Sequence, residues 1–305
     1  MKKQKIVITG GAGFIGTNIA EFITKNNPDW QIVVVDDLSA GTSPARLPEN
    51  VEFIELDIRD TPGLTTACDG ADVLVHLAAL PRVQFSIENP VATHDVNVNG
   101  TLSVLEAARK VNARVVFAAS SSTYGDQEQL PLTLDLPAQP KSPYALHKYM
   151  GELMMKMWHD IHGLETVSLR FFNVYGPHLD PDGPYALVIG RFLKQVKEGS
   201  AMTITGDGEQ TRDFTHVRDV AAAVMAAATK DTVGAGEVLN IGAGEQTTIN
   251  DLASMIGTKT EHIEARLEPR HTMADISKTT ELLGWKPTVT LEDGIAELKK
   301  EFGLL

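Results

Sequence analysis

A single cysteine, Cys68, stands in 305 residues, which excludes an intrachain disulfide and any cysteine-rich metal site. Aromatic residues are sparse, at 6%. Lys and Arg number 27 against 40 Asp and Glu, for a net charge of −13. No basic run offsets that balance, which argues against nucleic acid and anionic membrane surfaces as partners. Long apolar runs are missing too. The N-terminal Ile6-Val7-Ile8 is too short for a secretory leader or a membrane span, so a cytoplasmic protein is expected. No His, Asp and Glu set has metal-ligand spacing, and no metal is expected. Internal repeats and low-complexity stretches are absent. What remains, 43% hydrophobic and 22% charged residues, is an ordinary globular composition. The length suits one large domain or two smaller ones.

The first motif lies at the N-terminus. A β-branched run, Lys5 to Thr9, leads directly into Gly10-Gly-Ala-Gly13-Phe-Ile-Gly16, and a helical pattern of Ile15, Ile19, Phe22 and Ile23 follows. Gly10 suits a tight turn, Gly13 close approach of a pyrophosphate, and Gly16 close packing of the helix. The helix N-terminus would offer free N–H groups and a positive dipole end to phosphates. A second strand, Gln31–Val35, ends at Asp36, 20 residues after Gly16, where a carboxylate binds the adenosine ribose. The same carboxylate repels a 2′-phosphate, which favours NAD over NADP. The alternative is a glycine-rich turn in another α/β fold.

The second motif is Tyr144-Ala-Leu-His-Lys148, preceded by Ser120-Ser121-Ser122. Four residues apart on a helix, the phenol and the ammonium share one face. A free phenol, with a pKa of roughly 10, is a poor base at neutral pH. An ammonium within about 4–6 Å favours the phenolate, and a serine hydroxyl could bond the same substrate oxygen. The set reads as a proton-transfer device for a carbon–oxygen centre. The spacing also occurs on ordinary amphipathic helices.

Gly-x-x-Gly-x-x-Gly together with Tyr-x-x-x-Lys resembles the extended short-chain dehydrogenase/reductase family, and the resemblance covers the whole chain. Strand signals at Val51–Leu56, Asp72–Leu77, Arg114–Ala119 and Glu165–Phe172 alternate with helices, among them Pro90–Val111 with its Asn97-Val-Asn-Gly100, and a helix from Tyr144 to about Gly163. That alternation predicts an α/β fold: a doubly wound parallel sheet (Rossmann-type) with a smaller C-terminal α/β substrate lobe. The expected division is 1–165 for the NAD-binding domain, with later chain crossing back, and mainly 166–305 for the substrate lobe.

The resemblance implies NAD as cofactor. It assigns the glycine turn (Gly10, Gly13, Phe14, Ile15, Gly16) and the segment Asp36, Asp37, Leu38, Ser39 and Gly41 to it. Asp57 and Ile58 would face the adenine, and Leu77, Ala78, Ala79 and Pro81 would lie along the coenzyme. Tyr144, Lys148 and Phe172 would surround the nicotinamide. Ser120-Ser-Ser-Thr-Tyr124-Gly125 is similar to the active-site segment of nucleotide-sugar members. Dehydratases and decarboxylases place an acid two residues before that tyrosine, where this chain has Ser122. Without that acid the simplest outcome is inversion at a carbinol carbon.

Resemblance extends through the second half. Arg170-Phe-Phe-Asn173-Val-Tyr-Gly176 matches a nucleotide-sugar epimerase segment whose asparagine contacts the diphosphate sugar. Leu187 and Val188 would hold uracil, and Arg212 the diphosphate; alone, Arg212 reads equally as a surface partner of Asp213 or Glu209. The segment Arg266 to Lys278 departs from the family pattern, lacking its Gly-Asp and placing Arg266 nine residues before Asp275 rather than ten. Either Arg266 or Arg270 could hold phosphate. Thr272 falls where a bulky tyrosine would exclude an N-acetyl group, and a threonine leaves room. With Ser121 and Ser122 beside the sugar, the expectation is an NAD-dependent UDP-hexose 4-epimerase, acting on the glucose/galactose pair and their N-acetyl forms, and forming a homodimer through the helices near Pro90–Val111 and Pro143–His162. UDP-glucuronate epimerisation or decarboxylation, simple ketoreduction and a non-catalytic NAD sensor are the alternatives.

Overall fold

Apolar β-branched runs alternate with amphipathic stretches along the chain, and the structure, a computed structural model, turns that alternation into layers. Residues 4–181, 187–264 and 269–305 are described. The first half runs β1 (Lys5–Thr9), α1 (Phe14–Asn26), β2 (Gln31–Asp36), β3 (Glu52–Glu55), α2 (Thr61–Ala67), β4 (Val73–His76), α3 (Val83–Glu88) and α4 (Pro90–His94). It continues through α5 (Gly100–Val111), β5 (Arg114–Ser120), α6 (Pro143–His162), β6 (Thr166–Phe171) and β7 (Val174–Tyr175). Then come α7 (Val188–Lys197), β8 (Met202–Thr205), β9 (Thr211–Arg212), β10 (Thr215–His216), α8 (Val217–Thr229) and β11 (Ala235–Ile241). The chain closes with β12 (Thr247–Thr248), α9 (Ile249–Ile256), β13 (Thr260–Ile263), α10 (Ser277–Leu283) and α11 (Leu291–Glu301).

Seven strands form one sheet in the order β11-β6-β5-β4-β1-β2-β3, with every pairing parallel. Parallel strands need crossover helices on the faces, so both faces are covered and the strands are apolar throughout. Period-two alternation divides the residues. Ile6 and Ile8 of β1 pack with Ile19 and Ile23 of α1 and Val220 and Val224 of α8. Val7 faces the other way, with Leu64 of α2, Leu105 and Ala108 of α5, and Met155 of α6. The strand order reverses between β1 and β4, and a ligand crevice opens beyond the carboxyl ends at such a point.

β6, α8 and β11, all beyond residue 165, complete this sheet and its cover. A second core joins Phe192 and Leu193 of α7, Met202 and Ile204 of β8, Leu252 and Ile256 of α9, and Ile295 and Leu298 of α11. The β13–β8 pair edges this smaller lobe.

Two helices bear on the site. α6 begins at Ser142, whose hydroxyl accepts from Ala145 N–H at 3.1 Å, with Pro143 in the first turn. It ends at Gly163, which takes the left-handed conformation (φ +67°) that glycine adopts without penalty. The helix expected over Pro90–Val111 is interrupted by a π-turn at Asp95–Asn99. Such turns re-aim a side chain within a helix. Here Asn97 accepts from Leu80 N–H at 2.8 Å and donates to Leu80 C=O at 3.1 Å, fixing the segment after β4.

Candidate functional site

A cleft of about 770 Å³ runs along the carboxyl ends of the strands, and a smaller cavity of about 260 Å³ adjoins it, sharing Asn173, Val174 and Leu187. Its first wall is the glycine turn. Gly10 has φ +69°, and a Cβ there would lie 2.6 Å from Ala78 N. The β1–α1 turn and the segment after β4 therefore touch backbone to backbone. At Gly16 a Cβ would come within 2.4 Å of Gly11 Cα, so α1 presses directly on the turn. The N-terminus of α1, capped by Gly13 without a side-chain bond, opens on the cleft with free N–H groups. Asp36, at the end of β2, accepts from Ala12 N–H (3.1 Å), Leu38 N–H (2.9 Å) and Thr42 hydroxyl (3.3 Å). Burial pushes its carboxyl above the usual range against those bonds.

Gly13, Phe14, Ile15, Asp37, Ser39, Gly41, Asp57, Ile58, Leu77, Ala79 and Pro81 also line this cleft. Leu38 does not; it contributes the N–H bound to Asp36 from a left-handed backbone. Phe172 is corrected outright. It is fully buried with Tyr124, Leu132 and Ala274, while its neighbour Phe171 lines the cleft. Adjacent side chains at a strand end point to opposite sides, so a shift of one residue exchanges them. Thr42, Arg46, Arg82 and His178 line the cleft as well. None carries a local motif that could have flagged it.

Tyr144, Lys148, Ser120, Ser121 and Ser122 meet in the same cleft. The Tyr144 backbone N–H is held by the Ser86 hydroxyl at 3.1 Å. Burial raises the phenol pKa, and the contact that lowers it is the Ser120 hydroxyl. The ammonium of Lys148 donates to Ala118 C=O at 2.7 Å and sits 4.9 Å from the Phe117 ring centroid. Burial pulls its pKa down to about 8, opposed by the Glu152 carboxylate. The expected lowering of the phenol by Lys148 is therefore not what governs here. The ammonium is anchored to the backbone of β5, and desolvation of the phenol outweighs it.

One turn beyond Lys148, Glu152 forms a two-pronged ion pair with Arg170 (2.8 and 2.7 Å). Both are buried, and the guanidinium lies 4.5 Å from the Tyr124 ring centroid. Tyr144, Lys148 and Glu152 thus make one stripe on α6. His76 stands near it with a defined tautomer. Thr101 hydroxyl donates to Asn97 C=O (2.7 Å), so it accepts from His76 Nε2–H (3.0 Å), and Nδ1 accepts from Thr9 hydroxyl (2.8 Å). Burial first, then the charge of Lys148, hold His76 down at about 3. It is a neutral, satisfied core imidazole. Cys68 is buried and its thiol pushed up to about 12, so it packs as an unreactive apolar group.

On the far side, Asn173, Leu187, Val188 and Arg212 line the smaller cavity, with Arg191 of α7 beside them. Arg212 donates to Thr211 C=O at 2.9 Å. The Asp213 carboxylate is taken up elsewhere, accepting from Ala243, Gly244 and Ala274 N–H (2.7–3.0 Å). That arrangement stitches three loops together, and burial pushes Asp213 up to about 6. Arg270 lies on the surface, ion-paired with Asp207 at 2.8 Å. Thr272 lines neither cavity; its hydroxyl accepts from Asp213 N–H at 3.4 Å. Arg266 lies outside the described residues.

The glycine cradle, the open helix terminus, the buried acid after β2 and the volume of the cleft fit a dinucleotide, and the fold with its Tyr/Lys/Ser group defines an NAD-dependent enzyme class. The profile of the NAD dependent epimerase/dehydratase family matches residues 6–242, and the chain belongs to that family. The UDP-glucose 4-epimerase of Mycolicibacterium smegmatis is 34% identical, aligned over 98% of each chain. A solved UDP-N-acetylglucosamine 4-epimerase from Methanobrevibacter ruminantium, in complex with UDP-N-acetylmuramic acid, superposes with a TM-score of 0.93 at 33% identity, covering 100% of this chain and 99% of that one. The UDP-glucuronic acid 4-epimerase of Bacillus cereus, solved with UDP-glucuronic acid and NAD, gives 0.89 at 33% identity, over 98% and 99%.

Proposed function

We propose that this protein inverts C4 of a UDP-hexose through a 4-keto sugar, interconverting UDP-glucose and UDP-galactose and their N-acetyl forms. The observation that carries the reading is the meeting of Tyr144, Ser120 and Lys148 in one cleft with the glycine turn, beside a second cavity bearing Arg191 and Arg212. The glycine turn, Asp36 and Lys148 would hold NAD, which supplies an acceptor and donor of hydride at the sugar carbon. Tyr144 takes the proton of the 4-hydroxyl and later returns it, while Ser120 bonds the same oxygen. Lys148, held on Ala118 C=O, keeps a positive charge beside the phenol. The guanidinium groups of Arg212 and Arg191 suit a diphosphate, and Leu187 and Val188 a uracil ring. Because the sugar leaves at its original oxidation level, no external reductant is needed.

Ser122, in place of an acid, stands against decarboxylation. The lobes divide as a coenzyme domain of 1–165 completed by β6, α8 and β11, and a sugar lobe from most of the rest. A cytoplasmic homodimer fits this reading. α3 to α6 expose Ile87, Val91, Leu102, Leu153, Met157 and Ile161 on neighbouring helices, an apolar face of the kind that pairs two copies. Among the described residues no helix is long and apolar enough to cross a membrane.

The test is a UDP-sugar panel with products resolved by NMR, with and without added NAD⁺ and with no reductant. Interconversion of a 4-epimer pair is expected. Stoichiometric NADH consumption, carbon dioxide release, or NAD binding without turnover would each replace this assignment.

A further inference from the structure

Ser86, fully enclosed on α3, joins two walls of the site. Its Oγ donates to Val83 C=O at 2.6 Å and accepts from Tyr144 N–H at 3.1 Å, while its own N–H donates to Arg82 C=O at 2.9 Å. A carbonyl can only accept and a backbone N–H can only donate, so the direction of all three bonds is fixed. Arg82 and Val83 line the cleft, as do Leu77, Ala78, Ala79, Leu80 and Pro81 just before them. Ala78 is pressed against the glycine turn, and Leu80 is held at both backbone groups by Asn97. A run of close contacts thus leads from Gly10 along the coenzyme wall to the backbone of Tyr144.

Tyr144 is the second residue of α6, in the turn where a helix leaves its N–H groups without intrahelical partners. Pro143 has no N–H to satisfy. Ser142 takes that of Ala145 from within the same segment, at 3.1 Å. The N–H of Tyr144 is taken by Ser86, 58 residues earlier in the chain. That nitrogen is bonded to the Cα that carries the phenol, so the bond from α3 fixes the point from which the side chain reaches into the cleft.

We infer that Ser86 is a positioning residue, which sets the distance between the coenzyme wall and the Tyr144 phenol. The inference rests on Tyr144 being the proton-transfer group proposed above. A reacting group misplaced by about 1 Å can lose roughly 10²-fold in rate. With Ser86 removed, the Tyr144 N–H loses its acceptor, and the first turn of α6 is free to shift by part of that distance. Ser86 is itself shut off from the cleft, and it acts only through Tyr144.

The test uses the NAD-saturated protein, with ring-fluorinated tyrosines for the spectra and the Tyr144 signal identified from Tyr144→Phe. Ser86→Ala is expected to lower kcat about fivefold to thirtyfold with KM unchanged, and to shift or split the Tyr144 fluorine signal. Ser86→Cys, a weak donor and acceptor, should fall between wild type and alanine, and it serves for the comparison if the alanine variant does not fold. Ser142→Ala removes the neighbouring bond of the same helix turn. It should lower the melting temperature at least as much, with kcat within about twofold of wild type and the fluorine signal unmoved. Equal changes in the Ser86 and Ser142 variants would reduce Ser86 to a helix strut and overturn the inference. So would an unchanged kcat or an unmoved fluorine signal in Ser86→Ala. The fluorine signal needs no substrate, so the two readings fail separately. Absence of turnover on the sugar panel with the fluorine pattern intact removes the sugar assignment and leaves Ser86 as the residue that places Tyr144.

Discussion

At the coenzyme end of the cleft the wall is largely backbone: a left-handed glycine against Ala78, a helix terminus, and strand ends locked by the parallel sheet. At the end proposed for the sugar nucleotide it is side chains, carried on α7 and on two-residue strands and loops that pair across long stretches of sequence. Thr211 and Arg212 meet Thr247 and Thr248, and Val174 and Tyr175 meet Thr215 and His216. The first end is shaped by steric necessity, and few residues other than glycine can occupy its critical points. The second is held by polar bonds of individual residues, such as the three accepted by Asp213. Its recognition groups can be exchanged without disturbing the fold. One end should therefore be uniform in what it binds and the other adjustable.

The sharpest way to break that comparison is at the junction of the two ends. Tyr144→Phe is expected to reduce kcat by about 10²–10⁴-fold with NAD retention and melting unchanged; steady-state kinetics that stay near wild type would mean the ends do not share one reacting centre. Next in size is the ion pair behind Lys148. Glu152→Gln leaves Arg170 buried without its partner and should cost about 3–5 kcal/mol in urea unfolding. A loss below about 1 kcal/mol would show the coenzyme side to be as tolerant as the sugar side.

Lys148 supplies a pH signature. The folded protein holds its ammonium at about 8 rather than 10.5, so between those values the unfolded chain binds the extra proton. Stability then rises as pH climbs through that window. Lys148→Met should erase the rise, roughly 2–3 kcal/mol between the two limits, read from denaturation curves at pH 8 and pH 10.5. At the sugar end the effects should be smaller and confined to binding. Arg212→Ala should raise KM for the UDP-sugar about tenfold to a hundredfold, with NAD affinity intact. Arg270→Ala, removing an exposed pair with Asp207, should leave both KM and stability near wild type.

The coenzyme end was legible because its requirements are local. Gly10, Gly13, Gly16 and Asp36 state a turn, an approach, a packing contact and a carboxylate in one stretch of chain, and the structure puts all four in the cleft wall. Tyr144 and Lys148 were legible for the same reason, four residues apart on one helix. Phe172 was misplaced because strand alternation turns a one-residue offset into the opposite face. Arg191 went unnoticed because nothing in the local pattern of α7 separates an arginine on a cavity from one in water. The electrostatic relation of Lys148 to Tyr144 was also beyond the motif, since spacing gives proximity but not desolvation or the hold of Ala118 C=O.

By itself, then, the sequence determined the parallel α/β layering, the dinucleotide turn and the Tyr144/Lys148 pair that the fold brings to the cleft, all of which follow from steric and periodic rules acting within a few turns of chain. Tertiary structure alone decided which arginines reach the smaller cavity and how Glu152 and Arg170 sit behind Lys148. Those depend on groups brought together from distant segments, and on how completely water is excluded once they meet.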